Sequence, residues 1–216
     1  MKRISPILLT LCLSLLFCSQ AKAQHYGPYV GAFFGGNLLM PAKSTDDLGN
    51  FKLSFNPGLQ GSGVAGWDFA PDNPVGQGRI ELEYTRRSSP LDKVTFTGGS
   101  FKGAGNLTAD SLLLNFFGVL RDKSPWSQYA GVGFGAARMT ASDIKVTGQS
   151  LASGSSVVFA YQLGAGVDYA VTDYLNLDLG YRFFGSTSPK FTEVDGSKLE
   201  MDYYSHNVVL GMRVGF

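Results

Sequence analysis

The sequence predicts an all-β protein whose fold is an eight-stranded antiparallel transmembrane up-and-down β-barrel. Three observations lead to this prediction. The chain opens with a basic and then apolar segment that is typical of an exported protein. The remainder contains segments of about ten residues in which apolar and polar side chains alternate. The connections between these segments are alternately long and short along the chain.

Residues 1–23 have the composition of a secretory signal peptide. A basic start precedes an apolar run at 7–17, and the segment ends on Ala-Lys-Ala. An N-terminal membrane anchor is one alternative, but the run is shorter than the roughly 20 residues of a spanning helix. Lipid attachment at Cys18 is a second alternative, which Phe17 disfavours because a lipoprotein signal carries a small residue at that position.

The exported part, 24–216, is predicted to be a single barrel domain with nearly balanced charge. Cleavage of the signal peptide removes three of the 18 basic residues, so 15 remain against 17 acidic residues. Nucleic acid is excluded as a partner, because binding it requires a strongly basic footprint. Cys12 and Cys18 are the only cysteines, and both belong to the signal peptide, so the exported part is predicted to form no disulfide.

Eight segments of the exported part have the character of strands. Alternation is clearest at 79–87, where Ile80, Leu82 and Tyr84 share one face and charged residues share the other. Turn-forming residues, such as the Pro-Asp-Asn-Pro run at 71–74, separate the segments. The predicted strands are 29–40, 57–69, 79–87, 107–120, 128–139, 156–170, 174–185 and 202–216.

Long and short connections alternate between these strands. Outer-membrane barrels of bacteria place long loops outside the cell and short turns in the periplasm, whereas a soluble sandwich has no reason to sort its connections in this way. The long connections, which we predict to be irregular loops, are 41–56, 88–106, 140–155 and 186–201, and the short ones are 70–78, 121–127 and 171–173.

The polar face of the strands is predicted to line the barrel lumen, and the apolar face to contact lipid. Glycine is concentrated on the polar face, where a narrow, tapering barrel needs small residues. Eight strands enclose a space only wide enough for side chains, and charges removed from water must pair. The alternative is a soluble fold in which the same residues form an ordinary charged solvent face.

The charged residues on this polar face are predicted to form a network that plugs the lumen. Counting from the short-turn end places Asp178 beside Arg213 on the neighbouring strand. Glu83 and Arg182 lie higher, on opposite walls of a barrel narrow enough for them to pair. The predicted network is Glu81, Glu83, Asp178, Arg182 and Arg213.

Aromatic residues are predicted to form two bands at the membrane interfaces, where a ring can be partly dry and partly wet. Near the short turns they are Trp67, Phe69, Trp126, Tyr129, Tyr169, Tyr174 and Phe216, and near the long connections they are Phe183, Phe184, Tyr203 and Tyr204.

The closing strand, 202–216, alternates down to a terminal Phe216 and is long enough to cross a bilayer when tilted. In this pattern the chain resembles small outer-membrane barrels, namely the OmpA-like and OmpX-like barrels and the bacterial surface antigens called porin family proteins. The resemblance extends over 26–216. It implies a location in the outer membrane of a Gram-negative type of bacterium, among outer-membrane lipid and lipopolysaccharide. It also implies delivery by periplasmic chaperones and recognition of Phe216 by the barrel-assembly machinery.

The function implied by this resemblance is a structural or surface-antigen role, similar to that of an adhesin, with loops that contact a host or surface ligand. The alternative is a lipid-modifying or small-molecule-handling outer-membrane barrel. A diffusion porin is disfavoured because it needs about 16–18 strands in one chain.

No catalytic residue, cofactor or metal site is predicted, and the protein is expected not to be an enzyme. The glycine-rich run at 131–135 lacks the spacing of a phosphate-binding loop. His206 lies on the closing strand, where a lipid A deacylase barrel places its catalytic histidine. That family has serine two residues later, whereas here the residue is Val208, and Ser205 falls on the opposite face of the strand.

Deletion of Phe216 is expected to impair assembly far more than it alters the finished fold, because the resemblance makes this residue a recognition signal. The amount of inserted barrel can be measured in membrane fractions by heat-modifiable gel migration. Wild-type amounts of inserted barrel in the deletion variant would contradict this prediction.

Overall fold

The computed structural model describes residues 26–46, 49–70, 77–96, 98–146, 149–193 and 198–216. These residues form twelve β-strands, and none of them belongs to a helix that could span a membrane. The predicted signal peptide, 1–23, lies outside the described residues. In chain order the strands are β1 (Gly27–Leu39), β2 (Ala42–Asp46), β3 (Gly49–Phe55), β4 (Gly58–Phe69), β5 (Gly78–Phe96), β6 (Gly99–Arg121), β7 (Trp126–Val146), β8 (Gln149–Ala170), β9 (Leu175–Ser186), β10 (Lys190–Glu193), β11 (Lys198–Met201) and β12 (Tyr204–Gly215).

Eight of the strands, β1, β4 to β9 and β12, form one closed antiparallel ring, here called the lower ring. The ring closes where β1 pairs with β12, from Tyr29 opposite Gly215 to Leu39 opposite Ser205. Each of the eight predicted strands coincides with one strand of this ring. The predicted fold class, an eight-stranded antiparallel barrel, is therefore confirmed.

The apolar face of the lower ring is its outer face. Leu82 and Tyr84 are each 49% exposed, whereas Glu81 between them and the rest of the ring is 1% exposed. The same alternation continues around the ring, so that Leu, Val, Phe and Met cover the outside. This is the direction that the sequence predicts for a barrel in lipid, and the opposite of a soluble fold with an apolar core.

Short turns join the lower ring at one end, here called the short-turn end. β6 and β7 are joined by residues 122–125, and β8 and β9 by residues 171–174. In the first turn the Ser124 amide donates a hydrogen bond to Asp122 Oδ1 at 2.7 Å. Hydrogen bonds from the Ser124 hydroxyl and amide hold the pKa of the Asp122 carboxyl below its usual value.

Four strands continue well beyond the apolar band at the other end of the barrel. β5, β6, β7 and β8 are 19 to 23 residues long, about twice the 9–11 residues that cross a bilayer. Their far halves form a second closed ring, here called the upper ring, together with β2, β3, β10 and β11. In this ring β3 pairs with β5 and β10 pairs with β8, while β2 and β11 lie between β3 and β10. The prediction of irregular loops at 41–56, 88–106, 140–155 and 186–201 is wrong over most of their length.

Apolar side chains fill the upper ring. Phe51 and Leu53 on β3 are buried while Lys52 between them is exposed, so these strands alternate in the same way as the lower ring but with the apolar face inside. Serine, threonine and glycine between the apolar positions hide this alternation in the sequence. Other members of the buried cluster are Val94, Leu107, Met139, Ile144, Phe191 and Tyr203.

Irregularities in strand pairing mark the boundary between the two rings. The register shifts between Ser54 and Phe55 on β3 and between Pro90 and Lys93 on β5. It shifts again where β6 passes Gly105, whose φ is +120°. Bulges of this kind bend a strand and increase its twist, so they allow the long strands to serve two rings in succession.

Trypsin is expected to leave the folded protein uncut after Lys52, Lys93 and Lys102, because the backbone at all three lies in paired strands. Val94→Asp is the test variant, since it places a charge among the apolar side chains and should open the upper ring. Mass spectrometry of the fragments over time, in detergent, measures both proteins. Cleavage of the wild type after Lys93 as fast as in the variant would contradict a paired upper ring.

Candidate functional site

A cluster of charged side chains fills the lower ring near its short-turn end. Its centre is Arg79 on β5, whose side chain has no exposed surface. Arg79 Nε lies 2.8 Å from Glu81 Oε1, and Arg79 Nη1 lies 2.8 Å from Asp168 Oδ2. Arg79 Nη2 lies 3.5 Å from Asp178 Oδ2. The guanidinium also stacks on the Tyr129 ring, 4.0 Å from its centroid. Its N–H groups therefore contact carboxylates, and its flat face contacts an aromatic ring.

Arg213 on β12 shares two of these carboxylates. Its Nη2 lies 2.6 Å from Asp168 Oδ2, and its Nε lies 3.7 Å from Asp178 Oδ2. Asp68 on β4 extends the cluster, since it lies 3.9 Å from Arg213 Nη1 and accepts hydrogen bonds from Arg121 Nη2 at 2.6 Å. We call the connected set the charge cluster; its members are Arg79, Arg121, Arg213, Asp68, Glu81, Asp168 and Asp178.

Two tyrosines complete the charge cluster from opposite sides. The Tyr29 hydroxyl donates a hydrogen bond to Glu81 Oε1 at 2.7 Å, and the Tyr129 hydroxyl donates one to Asp178 Oδ1 at 2.7 Å. A Cβ at Gly180 would lie 2.6 Å from the Tyr129 hydroxyl. Glycine at this lumen position therefore leaves room for the tyrosine, which is a specific reason for the concentration of glycine on the polar face.

A small cavity lies beside the charge cluster, towards the short-turn end of the lumen. The cavity bounded by Tyr29, Asp68, Asn176, Arg213 and Gly215 measures about 10 Å³. That volume accommodates about one water molecule.

The five predicted lumen residues are all buried in the interior, but they do not form the predicted set of pairs. Arg213 lies beside Asp178 as the sequence predicts, and Glu81 pairs with Arg79. No ion pair joins Glu83 to Arg182 in the part of the chain that the structure describes. The charge cluster is thus centred nearer to the short-turn end than the predicted network.

Neutral groups take the place of the expected Glu83–Arg182 pair. Arg182 Nη1 donates a hydrogen bond to the Tyr129 hydroxyl at 3.0 Å. Glu83 accepts hydrogen bonds from Thr85 Oγ1 at 2.6 Å and from Asn115 Nδ2 at 2.9 Å. Both donors are close to Glu83 in the sheet, on its own strand and on the next one, so its carboxylate is satisfied locally.

A second polar layer lies above the charge cluster, towards the upper ring. Gln162 on β8 donates from Nε2 to Glu83 at 3.2 Å and accepts at Oε1 from Arg87 Nη2 at 3.0 Å. Arg87 also donates to Ser111 Oγ at 2.8 Å, and its guanidinium stacks 4.0 Å from the centroid of Phe184. From the short-turn end upward, the interior therefore changes from charged to polar and then to the apolar filling of the upper ring.

Three of the predicted interfacial aromatics face the interior instead of the lipid. Tyr129, Phe184 and Tyr203 are buried, which corrects the prediction that they belong to the outer bands. Trp67, Trp126 and Tyr174 remain outside, as do others of the predicted set. Phe216 is 68% exposed at the short-turn end, and its amide donates to the Pro28 carbonyl at 3.2 Å.

His206 is placed on the outer surface, where it contacts aromatic side chains. Its Nδ1 lies 2.6 Å from the Tyr181 hydroxyl, and its ring centroid is 5.4 Å from that of Phe183. Ser205 points into the barrel and is buried, on the opposite face as the sequence predicts. Among the described residues no group of three or more His, Cys, Asp or Glu side chains could hold a metal ion.

The members of the charge cluster that the predicted network lacks are Arg79, Arg121, Asp68 and Asp168. Arg79 has the parity of the predicted lumen residues, but its central position depends on a register that sets Asp168 directly opposite Asp178. That register cannot be derived from alternation alone. Asp68 lies between the aromatic residues Trp67 and Phe69. This alternation of polar and aromatic residues indicates that the strand continues to this point and that the Asp68 side chain faces the lumen.

Comparisons with known proteins agree on the architecture. A family model described as outer membrane protein beta-barrel domain matches residues 9–216. "Putative adhesin RC1281" of Rickettsia conorii is 28% identical over 194 residues, which cover 82% of this chain and 76% of that protein.

Two solved structures have a similar fold. Neisserial surface protein A superposes with a TM-score of 0.52 at 22% identity and covers 88% of this chain and 97% of its own. OprG from Pseudomonas aeruginosa superposes with a TM-score of 0.58 at 14% identity and covers 92% and 100%. At these identities the likeness concerns the fold alone.

Arg79→Ala is expected to lower the free energy of unfolding by about 3–5 kcal/mol, because it removes the cation that pairs with buried Glu81 and one of the two cations beside Asp168 and Asp178. Denaturant unfolding in detergent, followed by tryptophan fluorescence, measures the change. Lys190→Ala is the control, since Lys190 Nζ lies 3.3 Å from Glu200 in an exposed pair, which contributes about 0–1 kcal/mol. Equal losses in the two variants would show that the charge cluster does not stabilise the barrel.

Proposed function

Because this chain belongs to the outer membrane protein β-barrel domain family, we propose that it is a non-enzymatic surface protein whose upper ring presents an adhesive surface. The protein is located in the outer membrane. Long connections of such barrels face outside the cell and short turns face the periplasm. The upper ring therefore projects from the cell, and the charge cluster lies in the periplasmic half of the barrel.

The closed upper ring is the observation that carries the proposal. Its backbone is paired on all sides, and its interior is filled by buried apolar side chains. A surface that is ordered before binding loses less conformational entropy when a partner binds. The strands that lead to its outer end are therefore held in place by their neighbours.

The layered interior supports a role in which nothing passes through the barrel. Arg79 and Arg213 bridge carboxylates from several strands across the lumen, and a cavity of about 10 Å³ lies beside Arg213. The polar layer around Gln162 and the apolar filling of the upper ring follow in series. We propose that together they plug the lumen, so that the barrel acts as a support for its outer end.

The adhesive role is favoured by the relative in Rickettsia conorii, whose name is "Putative adhesin RC1281". The match extends over most of both chains. We carry the adhesive role from that name to this chain as part of the proposal.

A non-enzymatic role is favoured by the surroundings of His206. Its Nδ1 is engaged by the Tyr181 hydroxyl, and Val208 stands where the lipid A deacylase pattern requires serine. Ser205 is separated from the imidazole by the barrel wall. A nucleophile needs a base within hydrogen-bond reach, and these residues do not supply that pair.

The apolar filling of the upper ring favours a second candidate, the handling of small apolar molecules. Phe96 and Phe101 contact each other with ring centroids 6.1 Å apart, and Phe101 is partly exposed near the outer end. An apolar compound could contact these rings before it meets the buried cluster below them. The two candidates make different predictions. In an adhesin the connecting residues of the upper ring determine binding, whereas in a protein that handles small apolar molecules the interior of the upper ring determines binding.

Bacteria that display the protein are expected to bind cultured host cells in larger numbers than bacteria with an empty vector. Replacing residues 47–48, 97–98, 147–148 and 194–197 by glycine and serine at constant length should reduce binding to the empty-vector level. The physical reason is that these residues connect the ends of the upper-ring strands, which the proposal places outside the cell. Microscopic counts of bound bacteria, normalised to the amount of folded barrel, measure adhesion.

A matched control replaces Lys123 and Ser124 by glycine in a periplasmic turn, which should leave adhesion unchanged. Unchanged adhesion in the variant with replaced connections would contradict an adhesive role for the outer end. Adhesion no greater than with the empty vector, together with faster uptake of an apolar compound such as octane, would favour the second candidate.

A further inference from the structure

Arg87 on β5 is a buried arginine in the polar layer above the charge cluster. It is fully buried, and its guanidinium donates to two neutral oxygens, Ser111 Oγ at 2.8 Å and Gln162 Oε1 at 3.0 Å. Within the described ranges of the chain no ion pair joins it to a carboxylate. A charge that is removed from water is unfavourable unless an opposite charge lies close to it.

The carboxylate of the same layer, Glu83, is engaged by other groups. Its Oε1 accepts a hydrogen bond from Thr85 Oγ1 at 2.6 Å. Its Oε2 accepts from Asn115 Nδ2 at 2.9 Å and from Gln162 Nε2 at 3.2 Å. Because Gln162 also accepts from Arg87, its amide lies between the two charges and keeps them from direct contact.

Several buried polar atoms near Arg87 have no hydrogen-bond partner among the described residues. They include Arg87 Nε, Asn37 Oδ1 on β1 and Gln60 Oε1 on β4. Gln60 lies directly opposite Arg87 in the sheet. Asn37 donates from Nδ2 to Ser89 Oγ at 2.7 Å, and Ser89 is the next inward-facing residue after Arg87. Buried polar groups of folded proteins almost always have a partner, so these atoms indicate a guest that forms hydrogen bonds.

A tyrosine hydroxyl completes this part of the layer. Tyr203, between β11 and β12, is fully buried, and its hydroxyl interacts with Arg87, Asn37 and Ser89. We call the set that surrounds the unpartnered atoms the Arg87 group; its members are Asn37, Gln60, Arg87, Ser89 and Tyr203. All five are at most 3% exposed, so any guest of this group is enclosed between the charge cluster below and the apolar filling of the upper ring above.

The Arg87 group can present several donors to one guest. A half turn of a side-chain amide exchanges its oxygen and its nitrogen. After such a turn, Asn37 accepts from the Ser89 hydroxyl and directs its Nδ2 towards the guest, and Gln60 directs its Nε2 in the same way. Arg87 Nε and the Tyr203 hydroxyl add two further donors. The guanidinium repels a cation, whereas an anion meets both donors and an opposite charge.

We propose that the Arg87 group binds one small monovalent anion, such as chloride, inside the barrel. The anion accepts hydrogen bonds from Arg87 Nε and from the amides and hydroxyl around it, and it supplies the opposite charge that Arg87 lacks. Because the group is enclosed, the anion is acquired as the barrel folds and is released when the barrel unfolds. This inference is independent of the adhesive role proposed above.

The test is equilibrium unfolding of the full chain by urea in a neutral detergent, with sodium chloride or sodium gluconate at equal ionic strength. Exchange of gluconate for chloride at about 0.3 M should raise the folding equilibrium constant of the wild type about tenfold, because a ligand that binds only the folded state stabilises it by mass action. Arg87→Gln should remove this dependence on chloride, since the variant lacks the cation. Lys190→Gln, which removes an exposed cation, is the control and should retain the dependence.

Gln60→Glu is a second variant, which places a carboxylate directly opposite Arg87. This tethered anion takes the place of the bound one. The folding equilibrium constant of Gln60→Glu should therefore be the same in both salts and close to that of the wild type in chloride. The comparison decides the matter even if Arg87→Gln does not fold, and heat-modifiable migration shows which variants are folded.

Bromide locates the site directly. Crystals of protein refolded in sodium bromide should show anomalous scattering beside Arg87 Nε in the wild type and none there in Gln60→Glu. A wild-type folding equilibrium constant that is equal in chloride and gluconate would overturn the proposal and would assign the unpartnered atoms to water. An equal effect of chloride on the wild type and on Gln60→Glu would also overturn it, because the effect would then be a general one of the salt.

Discussion

Closure of the lower ring is the constraint on which the rest of the structure depends. No water reaches the hydrocarbon layer to pair with an open amide or carbonyl, so a strand in lipid needs a neighbour on both sides. Pairing of β1 with β12 supplies the last neighbour. Once eight strands close, the enclosed space is only wide enough for side chains, and the polar face of every strand is turned into it. The burial of arginine and aspartate in a membrane protein is thus a consequence of closure.

The buried charged side chains of the interior depend on one another for their stability. Arg79 and Arg213 each contact carboxylates from more than one strand, and tyrosine hydroxyls donate hydrogen bonds to Glu81 and Asp178. Removal of water is costly for every one of these ions, and the cost is offset only while all partners are present. The small lumen residues, such as Gly180 beneath the Tyr129 hydroxyl, belong to the same arrangement, because a side chain there would separate the partners.

Alternation in the sequence predicts the lower ring because lipid and lumen impose opposite requirements on successive residues. The alternation of Ile80, Leu82 and Tyr84 with charged residues identifies the outer face of their strand. The same rule failed above the membrane, where lysine, serine and threonine can face water and the composition therefore resembles that of loops. Within the lumen, parity identified Asp178 and Arg213 as inward-facing. It could not supply the cross-strand register that makes Arg79 the centre, nor show that Tyr129 turns inward to meet Asp178.

The closed upper ring has a consequence for the kinds of partner that the protein can recruit. An exposed strand side offers a row of open amides and carbonyls, to which a peptide or a second copy can add as an extra strand. Both rings close through strand pairs that lie within the described residues, so these strands offer no such template. Recognition outside the cell must then act through side chains and connecting residues, which can change in sequence without disturbing the backbone pairing beneath them. A surface built in this way can vary its specificity while it resists aggregation through its strands.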